Sequence, residues 1–419
     1  MLKIYVCGPT VYNDLHIGNM VPILTFDLML KAYRSLGKEF KFIHNITDID
    51  DKIINRAAQL NISEQELSQR YTDAYLELLE CFGVDTISKI EKVTSNINEI
   101  VDYVKQQVKE KNAYIDTEGN VWFDVKKFQG HYGCVSNLKL DKMQFEEQNQ
   151  DKKFEADFAL WKKTKVGVTF KTGDQNIAIG RPGWHTECAV LVQKHFGKDG
   201  LDIHGGGMDL TFPHHENENI QHFALYGRDI TKNWIRCGQI NFEGEKMSKS
   251  LGNVILAKDF IKQYDPFILK LIILNSKISA PINVTSEFIE NMQTIEKKYK
   301  KVIFSFFTNF GTNVFVNQKP PLMRSNAKFI KIINSLKEGN FSDFNFHLNE
   351  QIKEYNKSKN LETAKVIFSI LEVIHPLLTK VSNYENELEL FTKWTVLKEK
   401  KDYIEADKIR EKLMKSGLY

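Results

Sequence analysis

The segment FPHHENENI, residues 212–220, carries two histidines and two glutamates within five positions directly after a proline. Read as the first turns of a helix, it sets His214 and Glu218 on one face at i, i+4 spacing and rotates His215 and Glu216 away. That face offers an imidazole nitrogen and a carboxylate to a shared partner whose remaining ligands must come from elsewhere. The plainer reading is a helix start with acidic residues near its positive end. The spacing does not fit His-Glu-x-x-His, which excludes the zinc-protease pattern. Two other short elements could handle phosphate. HIGN, 16–19, lies where a strand gives way to a helix; such a terminus presents free amide hydrogens, to which His16 and Asn19 can add side-chain donors. KMSKS, 246–250, puts Lys246 and Lys249 in a glycine-flanked loop after a late strand. Alone, a solvated Lys-Ser loop of this kind is unremarkable.

These side chains need a scaffold. LKIYVCG (2–8) reads as a buried strand, VPILTFDLMLKAYRSLG (21–37) as an amphipathic helix stopped by Gly37, and FKFIHNITDIDD (40–51) as a second strand ending in an acidic turn. Strand, helix, strand at this length is a parallel βαβ unit. Ser63 to Glu66 is a capping box opening a helix to about Phe82, a helical pattern covers about 95–111, and AYIDTEGNVWFDV (113–125) reads as a hairpin. Alternation then resumes with helix 184–196, strand LDIH (201–204), a helix from Pro213 and strand WIRCGQINF (234–242). A parallel sheet is thus completed by a second half, with an insertion between the halves. From about 256 strand signals cease, and apolar residues recur at helical spacing through 257–276, 285–308, 325–338, 343–357, 361–380 and 401–415. GTNVFVNQKPPLMRSN (311–326), with its paired prolines, reads as a linker.

The bulk numbers agree with several packed units. A chain of 419 residues is long for one core, and 42% hydrophobic with 26% charged residues is an ordinary soluble balance. With 57 basic against 54 acidic residues, net charge +3 neither demands nor forbids a nucleic-acid partner. The five cysteines are odd in number and scattered, and no charged start with an apolar signal core precedes them, so the expected compartment is the cytoplasm. FILKLIIL (267–274) is far short of a membrane span.

HIGN and KMSKS, in this order and with these strand contexts, resemble the signatures with which class I aminoacyl-tRNA synthetases grip ATP. YVCGPTVY (5–12), NITDIDDKI (45–53), DFALWK (157–162), GRPGWHTEC (180–188), DIHGGGMDLTFPHHENE (202–218) and GEKMSKSLGN (244–253) together resemble the cysteinyl-tRNA synthetase family, in the order that family uses. The match runs from the first residues to about 275 and continues more loosely through SDFNFHLNE (342–350) and EADKIREKLMKSGL (405–418).

The resemblance implies an α/β fold: a Rossmann-like parallel-sheet catalytic domain with an inserted middle region, followed by an all-α C-terminal bundle. Expected boundaries are 1–94 and 156–255 for the catalytic halves, 95–155 for the insertion, 256–310 for a stem-contact region, 311–326 for the linker and 327–419 for a tRNA-binding region. It also implies a zinc ion held by Cys7, Cys188, His214 and Glu218, a ligand set acceptable to zinc. His215 and Glu216 are then outer or surface residues, and Cys81, Cys134 and Cys237 small buried hydrophobes. Thr47 and Trp184 are expected beside substrate cysteine. Gly8, Pro9, Thr10, His16, Gly18, Asn19, His204, Gly205, Gly206, Asp209 and Lys249 are expected around ATP, with Mg²⁺ accompanying the nucleotide. His16, Asn19, Lys246 and Lys249 would stabilise the departing pyrophosphate, and tRNA(Cys) would be the acceptor for a monomeric enzyme.

Family members usually carry a short lead before the first strand and a further tail, so the expectation is either a trimmed reading frame or a compact version, with the anticodon contact the function most affected. Segment 165–179 lacks the Ser-Pro-Trp-Gly that the family places before GRPGWH. Two rival readings stand beside this one: a cysteine ligase of the mycothiol type, with an amino-sugar acceptor, and a non-catalytic zinc- or tRNA-binding relative. The second expects losses in HIGN or KMSKS, and the sequence shows none.

Overall fold

The computed structural model describes residues 1–145, 151–247 and 252–418. They form two compact units, one of residues 1–23, 40–239 and 256–258, the other of 24–39, 240–255 and 259–419.

In the first unit, β1 (Leu2–Val6) leads to α1 (Ile17–Ser35), whose residues from Leu24 on belong to the second unit, and β2 (Phe40–Ile46) returns parallel to β1. Next come α2 (Asp51–Leu60), where the Asp50 side chain accepts from the Lys52 amide at 2.8 Å, and α3 (Glu64–Cys81), where Ser63 Oγ accepts from the Glu66 amide at 3.1 Å as the capping box requires. Edge strand β3 (Lys89–Lys92) pairs parallel with β2, and α4 (Ile97–Lys109) follows. The expected hairpin is β4 (Ala113–Ile115) with β5 (Val121–Phe123). It is extended by β6 (Phe158–Lys163) and β7 (Gly180–Pro182) into a four-stranded antiparallel sheet. This small sheet therefore runs on to Pro182, beyond the boundary expected at 155. Its inner face shares an apolar core with α4, through Val101, Val104, Phe123, Phe158 and Leu160.

The chain then returns to the main sheet through α5 (Trp184–Phe196), β8 (Leu201–Gly207), α6 (Glu216–Tyr226) and β9 (Thr231–Cys237). Strand order is β3-β2-β1-β8-β9, and every pair is parallel. Order reverses between β1 and β8, so their carboxyl ends open the crevice where α/β sheets bind ligands. Cys188, Leu191, Val192 and Phe196 of α5 pack on Tyr5, Ile43 and Leu201 of the sheet. This packing fixes the start of α5 over the crevice.

The second unit contains β10 (Ile240–Phe242), β11 (Glu245–Lys246), α7 (Ala257–Gln263), whose first two residues belong to the first unit, α8 (Phe267–Leu274), β12 (Ile282–Val284) and α9 (Ser286–Phe310). It continues through α10 (Asn313–Val316), α11 (Ala327–Lys337), α12 (Phe341–Ser358), α13 (Leu361–Ile374), α14 (Glu385–Glu399) and α15 (Tyr403–Ser416). The expected strand 234–242 is two strands in different sheets, because β10 joins β11 and β12 instead of the main sheet. β12 also corrects the expectation of helix alone after 256. The supposed linker 311–326 folds into α10 and a 3₁₀ turn that bury Phe315 and Met323. No helix among the described residues is long and apolar enough to cross a membrane.

Candidate functional site

Three elements meet in the crevice. Cys7 follows β1, with its amide donating to the Gly205 carbonyl of β8 at 3.0 Å. Cys188 lies in the second turn of α5. His214 and Glu218 come from the turn into α6, which begins at Glu216 after a break at Phe212. Their ligand atoms all lie within 4.8 Å of one another. Sγ of Cys7 is 3.9 Å from Sγ of Cys188 and 3.6 Å from Glu218 Oε1, which is 3.0 Å from His214 Nε2. A tetrahedral zinc with ordinary bond lengths sets such pairs roughly 3.8, 3.5 and 3.3 Å apart.

The charges of this cluster support the same fit. Burial pushes the Glu218 carboxyl up, but His204 and His214 outweigh it and hold the group well below the usual range. Burial also raises the Cys188 thiol, yet the hydrogen bond from Cys7 and the nearby His214 bring it down to about 6. Against burial, Glu218 and Cys188 raise His214 to about 10. Burial and Cys188 keep Cys7 a thiol. Two anions thus face one cation in a site almost closed to water, and buried charge of this kind calls for a cation. A divalent metal would supply it and let His214 serve as a neutral ligand.

An outer layer holds the four in place. His204 Nε2 donates to Glu218 Oε2 at 2.7 Å, and its ring lies against Trp234. His214 Nδ1 is 3.2 Å from Nδ1 of His185, a ring that burial and His214 keep neutral. Glu218 and His214 thereby each have an orienting partner, as the ligands of metal sites usually do. Trp184 stacks on His214 with centroids 4.4 Å apart. With Thr10, Asp50, Asp157 and His185 it lines a cavity of about 420 Å³. Thr47 is buried and donates to Glu187 Oε2 at 3.2 Å, while its amide donates to the Pro9 carbonyl at 3.0 Å. A side chain at Gly8 would run into the Asn45 carbonyl, and the Asn45 side chain accepts from the Gly8 amide at 2.8 Å. Asn45, His185 and Glu187 escaped the sequence reading, although two of them lie inside GRPGWHTEC.

His16 and Asn19 sit at the start of α1, where the His16 amide donates to Asn19 Oδ1 at 3.0 Å and the Asn19 amide to the His16 carbonyl at 2.9 Å. Gly18 is in the same first turn. Gly205 and Gly206 lie near the end of β8; a Cβ on Gly206 would come 3.0 Å from His215 Nε2. Asp209 is exposed just beyond. Lys246 ends β11 and is exposed, and Lys249 lies outside the described residues.

Three expectations need correction. The His204 ring, expected at the nucleotide, is wholly buried and turned onto Glu218. Glu216 is fully buried and accepts from the amides of Gly133, Val135 and Ser136, whereas His215, fully buried with its Nε2 3.7 Å from Cys7 Sγ, is the outer residue expected. Of the three cysteines expected as buried hydrophobes, only Cys237 is buried; Cys81 and Cys134 are exposed.

The sequence model described as the class I (C) tRNA synthetase catalytic domain matches residues 1–294. The cysteine–tRNA ligase of Mesomycoplasma hyopneumoniae strain 232 is 42% identical over 414 residues, 99% of this chain and 97% of that one. The chain belongs to the cysteine–tRNA ligase family. Another member, from Malacoplasma penetrans strain HF-2, is 38% identical over 436 residues and is covered to 95%. Among solved structures, Mycobacterium tuberculosis methionyl-tRNA synthetase with methionyl-adenylate aligns at TM-score 0.61 with 11% identity, over 89% of this chain and 90% of that one. A LeuRS-tRNA-LeuAMS ternary complex from Agrobacterium radiobacter K84 aligns at 0.65 with 8% identity, over 90% and 84%. At such identities the likeness concerns the fold: the parallel sheet and helical C-terminal part are those of class I synthetases.

Proposed function

We propose that this chain activates L-cysteine with ATP to cysteinyl-adenylate, and then passes the cysteinyl group to the 3′-terminal ribose of tRNA(Cys). The observation that carries the reading is the buried convergence of Cys7, Cys188, His214 and Glu218 under Trp184, at the carboxyl ends of β1 and β8. Zinc held by these four would bond the substrate sulfur as thiolate, a bond that serine's harder and far less acidic hydroxyl cannot match.

The remaining chemistry belongs to the chain. Trp184 and Thr47 shape the amino-acid pocket. Gly8, Pro9 and Thr10 lead to the start of α1, whose free amides, with His16, Gly18 and Asn19, meet the phosphates of ATP. Gly205 and Gly206 let the nucleotide approach the backbone of β8, and Asp209 meets the ribose. The carboxylate of cysteine attacks the α-phosphorus in line, the bond to the bridging oxygen breaks, and pyrophosphate leaves. His16, Asn19, Lys246 and Lys249 stabilise the charge gathering on it, with Mg²⁺ accompanying the nucleotide. No side chain acts as nucleophile. Residues 256–310 serve the acceptor stem and 327–419 the rest of the tRNA, in a monomer working in the cytoplasm.

The relatives are named for tRNA, which favours that acceptor over an amino sugar. Cysteine-dependent ATP–pyrophosphate exchange, followed by charging of tRNA in the same tube, tests the reading. Exchange without charging would move the acceptor away from tRNA, and absence of both would leave a binding relative.

A further inference from the structure

Helix α6 faces two ways. His214, in the turn before it, and Glu218 point to the buried cluster in the crevice. Glu216, Asn219 and Phe223, at i, i+3 and i+7, line another face, which packs beneath a second group of ligand-type side chains: His131, Cys134 and Asp229. These three come from the turn after β5 and from the loop between α6 and β9. We propose that His131, Cys134 and Asp229 form a second metal site, for zinc or a similar thiophilic divalent ion, separate from the cluster of Cys7, Cys188, His214 and Glu218.

The donor atoms converge. Nε2 of His131 lies 2.7 Å from Asp229 Oδ1 and 3.5 Å from Cys134 Sγ, and all three donor atoms fall within 4.8 Å of one another. A tetrahedral zinc holds nitrogen and sulfur ligands roughly 3.5 Å apart and nitrogen and oxygen roughly 3.3 Å apart. The sulfur is thus already at its distance, and the carboxylate needs to withdraw by about half an ångström as the hydrogen bond to His131 is replaced. Imidazole, thiolate and carboxylate together suit zinc, whereas magnesium and calcium prefer oxygen ligands.

Buried residues hold the donors in this arrangement. Asn219, fully buried, accepts from the Ile230 amide at 2.9 Å and turns its own amide onto both Asp229 Oδ1, at 2.9 Å, and Cys134 Sγ, at 3.4 Å. One side chain therefore orients two ligands, the outer-layer arrangement that metal sites use. The fully buried Glu216 carboxylate accepts from the Gly133, Val135 and Ser136 amides, on both sides of Cys134, and so fixes the turn that carries the thiol. Phe223 stacks on the His131 ring at 3.7 Å with planes 12° apart, which sets the direction of Nε2. A surface hydrogen-bonded triad needs none of this backing. Since Cys134 and Asp229 are exposed, the fourth position faces water. On binding, the Cys134 thiol releases its proton to solvent and the sulfur pair bonds the metal, with no change of oxidation state.

The test is a Co²⁺ titration of the full-length, metal-stripped protein, read as bound equivalents and as thiolate-to-cobalt charge-transfer absorption. Wild type is expected to take up one equivalent more than Cys134→Ser or His131→Ala, and the Cys134→Ser difference spectrum should contain the charge-transfer band of a single sulfur. Cys188→Ser should keep that extra equivalent, which separates this site from the buried one. Equal uptake and superimposable spectra for wild type and folded Cys134→Ser would overturn the proposal. Because Cys134 is exposed and serine is nearly isosteric, circular dichroism matching wild type identifies the folded variant.

Discussion

His204 and Lys249 mark two extremes of what single residues disclose. Strand position suggested that His204 faces a nucleotide, but a strand's alternation says only which face a side chain takes, and here that face holds Glu218. Its imidazole orients the oxygen opposite the one near Cys7 and His214. Such partners typically contribute 10–100-fold in metal affinity, so His204→Gln should lower zinc retention by that factor in a competition with chelator while the fold persists. Unchanged retention would mean that Glu218 is oriented without it. Lys249 is legible only as part of KMSKS. In the proposed reaction the charge it would meet develops in the transition state, so Lys249→Ala should slow single-turnover adenylate formation by about 10²-fold, about 2.7 kcal/mol, with cysteine binding barely altered. Wild-type adenylation in that variant would remove the loop from the chemistry. Of the four ligand-type residues in the crevice, His214 and Glu218 announce themselves by i, i+4 spacing. Cys7 and Cys188 are brought to them by packing of α5 on β1, which no local pattern encodes.

Elements were read well where their pattern was long and regular. The βαβ start, the Ser63 cap, the hairpin at 113–125 and helices α5, α9 and α12 stand where periodicity put them. Errors arose where a tertiary choice overrides local pattern. WIRCGQINF reads locally as one strand, yet its two ends join different sheets around Gly238. Helix α14 was missed because it fully buries none of its residues, so it has no stripe for periodicity to detect. The edge strand β3 is anchored by a contact that sequence could not show. Glu91 accepts from His195 of α5 at 2.7 Å, from Asn96 at 3.1 Å, and pairs with Lys89 at 2.8 Å. Burial raises its carboxyl, but Lys89, Asn96 and His195 outweigh this and bring it to about 2. A depressed carboxyl contributes stability that is complete above the unfolded value near 4.5 and is lost as pH falls toward 2. Glu91→Gln should therefore cost about 1–3 kcal/mol at pH 7, seen as a lower apparent Tm, with the gap to wild type closing as pH falls below about 4.5. A gap that stays constant into acid would show that packing, not charge, makes the difference.

At the scale of the whole molecule, the question is how one site distinguishes cysteine from serine. The two amino acids differ by one atom and have nearly the same shape, so an apolar pocket separates them by only ~1–3 kcal/mol, too little for faithful translation without a second, hydrolytic site. Among the described residues, the region inserted into the catalytic unit offers little for such a site. Its sheet has strands of three to six residues, and its inner face is filled by Val121, Phe123, Phe158 and Leu160 against α4. The crevice instead presents a cluster whose ligand types fit zinc, buried beneath Trp184 and held by His185 and His204. With zinc held there as proposed, serine would leave the metal without a thiolate bond, and the desolvation of the charged groups without compensation. Rejection should therefore occur at activation, by roughly 10⁴-fold or more in kcat/KM, on the scale of sites built around one specific bond. Pyrophosphate exchange with serine against cysteine measures this directly, alongside deacylation of Ser-tRNA(Cys) by the same protein. Appreciable exchange with serine, followed by rapid clearance of the mischarged tRNA, would place the selection after activation and take it away from His214 and Glu218. Slow exchange with serine and no clearance would keep selection in the crevice, where the fold has assembled thiol, imidazole and carboxylate from three separate segments of chain.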